Sequence, residues 1–343
     1  ILQNSGMHLC KFLLGYNIGL NPIFLFIMSK KVLESLQEHD VKVISRLMSA
    51  VENDSQTDET LIEELYSHSL NSVRIGITGP PGAGKSTLID KLIELFRNNE
   101  KTVGVVSVDP TSPFSGGALL GDRIRMNQHA LDSGVYLRSM GSRGMTGGLA
   151  RKSHLMGDIL SCTGKEIIIF ETIGVGQAET EIIKNADITV VVLVPEAGDE
   201  VQFMKAGPIE VGDLFVVNKS DRDGAGRVAE LLSDYFKDSV ESREFTPEII
   251  LTTASSGEGV ADVYEKSLNL ILQLQQSGTM EKRREKQYLN RVRGAVRDEL
   301  VQRFWNSQPE LDFDSEILLQ LANGRSPYSA ARYLINSLKL NHD

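Results

Sequence analysis

Cysteine is almost missing from this chain, with Cys10 and Cys162 the only two in 343 residues. They stand far apart, and no Cys-x-x-Cys pair or histidine-rich tract accompanies them. A disulfide framework and a zinc ribbon are both excluded, and a reducing compartment is the natural setting. Basic residues are in deficit, 36 Lys and Arg against 46 Asp and Glu for a net charge of -10, so the chain has no overall electrostatic footprint for a nucleic-acid backbone. Long apolar runs are missing too. The most apolar stretch, Leu9 to Met28, is broken by Lys11, Asn17, Asn21 and Pro22, whereas a spanning helix needs about 20 mostly apolar residues. No small-residue cleavage site follows it, and no repeat of fixed period runs through the chain. Neither nucleic acid nor membrane is expected as a partner. What is present is ordinary globular usage, 41% hydrophobic and 24% charged with 30 Gly, which fits one large domain with appendages.

The chain opens on Ile1, and its character changes at Met28 to Ser-Lys-Lys followed by amphipathic spacing. Residues 1–27 are therefore expected to be translated upstream sequence, with Met28 the physiological start. A membrane anchor or organelle presequence is the rival expectation, which the mass of the native protein separates. Over 28–70 the apolar residues Val32, Leu33, Leu36, Val43, Ile44, Leu47, Leu61, Ile62 and Leu65 recur at helical spacing and predict a helical lead-in, split by the polar run Glu52 to Glu59. Over 71–277 short β-branched runs alternate with helix-length segments: Val73 to Thr78, Val103 to Val108, Ile167 to Glu171, Ile188 to Val194, Leu214 to Val217 and Ile249 to Leu251. Several are apolar throughout, as strands buried on both faces are, which predicts an α/β fold with a mostly parallel sheet flanked by helices. Over 278–343 a charged helix from Glu281 to about Asn306 carries the stripe Leu289, Val292, Val296, Leu300 and Phe304. Its charges Lys282, Arg283, Arg284, Lys286, Arg291, Arg293, Arg297 and Arg303 read as a solvated face. A last helix is framed by Gly324 as stop, Ser326 as N-cap and Pro327 at the first position.

The chemistry sits at strand ends, where open α/β sheets bind ligands. The first strand runs into Gly79-Pro80-Pro81-Gly82-Ala83-Gly84-Lys85-Ser86 and then a helix beginning with Thr87, which is the P-loop pattern in its required strand, loop and helix context. Gly82 and Gly84 let backbone N–H groups turn onto phosphate oxygens, and the helix adds its positive dipole end. Lys85 is placed to bridge the β- and γ-phosphates, and Ser86 to give its hydroxyl oxygen to Mg²⁺. Asn218-Lys219-Ser220-Asp221, at the end of another strand, is the guanine-reading pattern. Asp221 can accept from the N1–H and N2–H donors of guanine, which adenine lacks, and a wrong base leaves buried polar groups unpaired at about 1–3 kcal/mol. Thr252-Thr253-Ala254 ends the next strand, where a backbone amide can meet the guanine oxygen. GTP or GDP with Mg²⁺ is the expected ligand.

Asp109 and Glu171 end two further strands and suit Mg²⁺ coordination, direct or through water, although either also suits a helix cap. Gly174 offers a backbone N–H to the γ-phosphate, which makes Glu171 to Glu179 a nucleotide-sensitive loop. In small GTPases a glutamine follows that glycine and orients the attacking water; here Val175 stands there and Gln177 lies two further on. Intrinsic hydrolysis is therefore expected to be slow, with Gln177, a partner or a second subunit completing the catalytic set of Lys85, Glu171 and Gly174.

Together these motifs resemble the MeaB/ArgK family of P-loop GTPases, to which the methylmalonic aciduria type A proteins belong. The resemblance covers about Met28 to the C-terminus. It rests on Gly79 to Ser86, Val108 to Ser112, Gly116 to Met126, Glu171 to Gln177, Pro195 to Gln202, Asn218 to Asp221 and the terminal Pro327 to Ala331. It implies a SIMIBI-type P-loop domain over 71–277, a helical dimerisation extension over 278–343, and a homodimeric GTPase chaperone of an adenosylcobalamin-dependent methylmalonyl-CoA mutase. Such a chaperone gates cofactor loading and protects the mutase, in the cytoplasm or, for a eukaryotic source, the mitochondrial matrix. The resemblance puts Asp109 and the metal-facing Asp122 in switch I, Glu171 in switch II, and Asp199, Glu200 and Lys205 in a loop that senses the mutase. The chain departs from the family at Glu196, where glycine is usual, and at Phe203 and Ala206, where glycine and lysine are usual. The rival functions are a metal-delivering GTPase, for which His39, His68, His129 and His154 are too scattered, a kinase of transport proteins, and a hydrolytically weak nucleotide-dependent scaffold.

Overall fold

The computed structural model describes residues 22–53, 59–69, 71–109, 127–129, 131–141, 148–172, 186–195, 208–238, 245–307 and 312–337. The chain forms two compact units, Ile1–Arg284 and Glu285–Asp343. The first is built on seven strands: β1 (Val73–Thr78), β2 (Val103–Asp109), β3 (Val135–Gly141), β4 (Ile167–Thr172), β5 (Ile188–Leu193), β6 (Leu214–Asn218) and β7 (Glu248–Thr252). They lie in the order β3-β2-β4-β1-β5-β6-β7, and every pairing is parallel.

The apolar runs are explained by two-sided burial. Along β4, Ile167 and Ile169 face one core layer while Ile168 and Phe170 face another. Along β6, Leu214 and Val216 join that first layer while Phe215 and Val217 join a third cluster. Alternation of side chains across a strand puts successive residues on opposite faces, so a strand covered on both sides must be apolar at each position. Helices α4 (Lys85–Asn98) and α8 (Val260–Gln276) cover the first face with Leu88, Ile89, Leu92, Val263, Ile271 and Leu274. The other face is shared. Over β2 and β4 lie α5 (Gly148–Cys162) and the lead-in helices α1 (Pro22–Gln37), α2 (Val41–Glu52) and α3 (Glu59–Ser69); over β5 and β6 lies α7 (Ala225–Asp238), with the short α6 (Pro208–Val211) nearby. The lead-in thus contributes Val32, Leu36, Ile44, Leu47, Leu61 and Leu65 to a core layer, each such burial worth about 1.5–3 kcal/mol before entropy.

Two features differ from the sequence reading. The strand β3 was not expected. It is an edge strand whose text, Val-Tyr-Leu-Arg-Ser-Met-Gly, lacks an unbroken apolar run, and its Arg138 pairs with Glu52 of α2 at 2.7 Å. Arg283 and Arg284 do not lie on a solvated face. They begin helix α9 (Thr279–Asn306) and clamp the N-terminal ends of two strands: Arg284 donates to both carboxylate oxygens of Asp187, at 2.7 and 2.8 Å, and Arg283 to both of Asp213, at 3.0 and 3.1 Å. Those carboxylates also accept the strand amides of Arg74 and Thr189, each at 2.8 Å. The Asp187 hydrogen bond holds the Arg284 guanidinium above its ordinary pKa against the opposing effect of burial.

In the second unit, α10 (Phe313–Ala322) is capped by Asp312, and α11 (Pro327–Ser337) begins at the expected proline with Ser326 accepting from the Ser329 amide at 3.3 Å. Gly324 takes a φ of 70°, the left-handed stop anticipated from sequence. Phe304, Trp305 and Phe313 pack as an aromatic cluster. No helix among the described residues is long and apolar enough to cross a membrane.

Candidate functional site

Chain order around the sheet reverses at β1, since β2 to β4 lie on one side of it and β5 to β7 on the other. In open α/β sheets such a reversal opens a crevice at the strand carboxyl ends, and the Gly79 to Ser86 loop sits there. Backbone constraints explain its glycines. At Gly79 a Cβ would fall 2.0 Å from the Val192 carbonyl oxygen, and at Gly84, with φ of 86°, 2.3 Å from the Asn218 amide nitrogen. A side chain at either place forces the loop away from its neighbour strand. Helix α4 begins directly after Gly84, and Lys85 folds back so that Nζ donates to the carbonyls of Gly79 at 2.8 Å and Pro80 at 2.9 Å. Two neutral carbonyls of the loop thus accept from the buried Lys85 ammonium.

Ser86, the next residue, donates its hydroxyl to Glu171 Oε1 at 2.6 Å. The other oxygen of that carboxylate, Oε2, accepts from Ser107 at 2.7 Å. Thr172 donates to Thr78 at 3.1 Å, so the ends of β4 and β1 are tied beside the same spot. These donors and acceptors are all oxygen, the chemistry a hard divalent cation selects. Ser86 and Glu171 already converge from the loop and the sheet, so the residues present fit Mg²⁺.

The guanine-type motif docks onto the loop through Asn218. Its Nδ2 donates to the Ala83 carbonyl at 2.8 Å, while its Oδ1 accepts from the Ala254 amide at 3.0 Å and the Thr252 hydroxyl at 3.1 Å. One buried amide therefore joins three segments, the ends of β6 and β7 and the phosphate-type loop. Beyond it, Lys219 adopts φ of 58°, an uncommon turn for a non-glycine residue. The Ser220 amide donates to Thr252 O at 2.9 Å, and Asp221 stands exposed at the rim. Thr253 donates its amide to Glu258 O at 3.0 Å, so the amides of Thr253 and Ala254 are both engaged within the protein.

Gly79, Gly82, Ala83, Gly84, Lys85, Ser86, Thr87, Glu171, Asn218, Lys219, Asp221, Thr253 and Ala254 thus all lie at the carboxyl ends of β1, β4, β6 and β7 or in the segments that follow. Asp109 ends β2. Asp122, Gly174, Val175, Gln177, Asp199, Glu200 and Lys205 lie outside the described residues. Sequence reasoning missed Ser107 and the Thr78 to Thr172 tie. Ser107 is a lone hydroxyl within an apolar strand, a signal that acquires meaning only once the register sets it opposite Glu171.

Residues 44–309 match the family described as methylmalonyl Co-A mutase-associated GTPase MeaB. A putative GTPase of Pyrococcus horikoshii is 40% identical over 311 residues, covering 90% of this chain and 98% of its own. The mouse methylmalonic aciduria type A homolog, a mitochondrial protein, is 33% identical over 78% of this chain and 66% of its own. Among solved structures, one described as a LAO/AO transport system kinase superposes with a TM-score of 0.66 at 23% identity, covering 93% of this chain and 99% of that one. That likeness speaks to the fold.

Proposed function

The chain belongs to the MeaB family of methylmalonyl-CoA mutase-associated GTPases, and from that premise we propose that it is a Mg²⁺-dependent homodimeric GTPase acting as a chaperone of an adenosylcobalamin-dependent acyl-CoA mutase. Hydrolysis of GTP is its enzymatic activity. The observation that carries the nucleotide half of the proposal is the bridge made by Asn218 between Ala83, Thr252 and Ala254, because it fixes a base-reading motif at one distance from a phosphate-holding loop. In that arrangement the backbone N–H groups of Gly82 to Ser86 and the Lys85 ammonium hold the phosphates, and Asp221 accepts from the N1–H and N2–H edge of guanine. Ser86 and Glu171 would hold Mg²⁺, whose charge would offset that of the phosphates.

The partner half of the proposal rests on the family match and on loop position. Asp199, Glu200 and Lys205 follow β5, whose end neighbours the phosphate-type loop through Val192 and Gly79. With Val175 in the place of a water-orienting glutamine, the chain alone hydrolyses slowly. A docked mutase, sensed through Asp199, Glu200 and Lys205, is expected to complete the site. The homodimer reading draws support from Leu289, Val292, Val296 and Leu300, which remain exposed along α9. The test is the steady-state GTPase rate with and without an adenosylcobalamin-dependent acyl-CoA mutase. An acceleration of at least tenfold is expected, equivalent to about 1.4 kcal/mol of barrier, and Lys205→Ala should abolish it while GTP affinity stays. An unchanged rate in the presence of the mutase removes the partner half of the proposal.

A further inference from the structure

We infer that Ser107 is a positioning residue for the Glu171 carboxylate, holding Oε2 so that Oε1 stays directed at Ser86. The inference deepens the reading of Ser86 and Glu171 as the cation-holding pair and rests on it. Its first support is register. Ser107 on β2 is the direct partner of Glu171 on β4, and paired residues of parallel strands project to the same face, so position 107 is the place from which a neighbouring strand reaches this carboxylate. The second is composition. Every other residue of β2 from Val103 to Val108 is valine or glycine, and Ser107 is 6% exposed. Burying a hydroxyl in such a strand is unfavourable unless it is hydrogen-bonded, and the bond it makes is to Glu171 at 2.7 Å.

The consequence is geometric. A glutamate carboxylate turns about a broad terminal torsion, so a single hydroxyl on Oε1 does not set its plane. Two donors from different segments, Ser86 from the loop and Ser107 from the sheet, do set it. Ser86 belongs to the loop expected to engage phosphate and cation, whereas Ser107 is rooted in the core. When Ser86 turns its oxygen toward a cation, Ser107 still holds the far oxygen, and the carboxylate meets the cation already oriented. Charge-assisted hydrogen bonds in a buried setting are the stronger kind, which makes this anchor effective.

The experiment titrates Mg²⁺ against the full-length protein and a fluorescent GDP analogue, and measures GDP affinity in EDTA and thermal stability alongside. For Ser107→Ala about five times more Mg²⁺ is expected at half-maximal tightening, with GDP affinity in EDTA within about twofold of wild type. Ser107→Thr, which keeps the hydroxyl, should restore the wild-type midpoint. A Ser107→Ala midpoint equal to wild type, while Glu171→Gln shifts it, overturns the role of Ser107 and leaves the Glu171 reading standing. A Glu171→Gln midpoint equal to wild type overturns both. Equal loss of GDP affinity with and without Mg²⁺ in Ser107→Ala marks a packing defect and also overturns the inference.

Discussion

At the N-terminal ends of the strands, Asp187 and Asp213 are each closed by an arginine in bidentate contact, and Arg74 pairs with Asp158 close by. At the C-terminal ends of the same sheet the buried charges Lys85 and Glu171 are held by loop carbonyls and serine hydroxyls. Both ends bury charged side chains, and the hydrogen bonds described at the two ends differ in kind. Charge closed on charge is costly to open, since a buried carboxylate or guanidinium left without its partner loses several kcal/mol. The hydrogen bonds that Lys85 and Glu171 make to loop carbonyls and serine hydroxyls are with neutral groups, which release a charge more readily than an ion-pair partner does, and they lie at the end proposed to take up phosphate and cation.

The comparison is broken most severely by removing a carboxylate at the closed end. Asp187→Ala takes from Arg284 both of its short contacts and from the Arg74 amide its acceptor, and about 3–5 kcal/mol of stability should be lost. Thermal or denaturant unfolding reads this directly, while guanine preference in the remaining folded protein should be unaltered. At the open end the converse holds. Lys85→Ala should lower GTP affinity about 10- to 100-fold, from a charge-assisted interaction of about 1.5–3 kcal/mol, with a melting temperature close to wild type. A large stability loss in Lys85→Ala contradicts the contrast.

The smallest effect is a pH dependence at the closed end. Arg97 holds the Asp132 carboxyl below its ordinary 3.8, and Lys101 holds that of Glu166 below its ordinary 4.5, each chiefly by a side-chain hydrogen bond. A carboxyl whose folded pKa is depressed binds fewer protons when folded than when unfolded. Its contribution is therefore complete above the ordinary value and is lost as pH falls through the folded one. Both pairs are partly exposed, and solvent screening limits each to roughly 0–1 kcal/mol. Denaturant midpoints should stay level from pH 7 to about 5 and decline below 4.5, and neutralising Asp132 and Glu166 to Asn and Gln should flatten that decline.

Much of the open end was legible in the sequence because its chemistry is written in contiguous residues. Gly79 to Ser86 and Asn218 to Asp221 carry their geometry locally, and strand and helix context on either side made the reading specific. Six strands were visible as β-branched runs, since burial on both faces writes itself as unbroken apolarity. The edge strand β3 is covered less, carries Arg138 and Ser139, and leaves no such trace. The closed end was illegible for a different reason. Arg284 and Asp187 are 97 residues apart, and nothing in a run of charges at the start of a helix distinguishes a solvated arginine from one that reaches a strand end. Ser107 falls in the same class, because its meaning depends on a register between β2 and β4 that only folding sets.

The most direct test of the account is calorimetric titration of the wild-type protein and Asp221→Asn with GDP and with xanthosine diphosphate in the presence of Mg²⁺. Asp221 is exposed, so its replacement should alter stability by no more than about 0.5 kcal/mol and report on base reading alone. The account predicts that the variant loses at least tenfold in GDP affinity, about 1.4 kcal/mol, and gains affinity for xanthosine diphosphate, whose oxygen at C2 faces the new amide. An Asp221→Asn protein that binds GDP as tightly as wild type would contradict it.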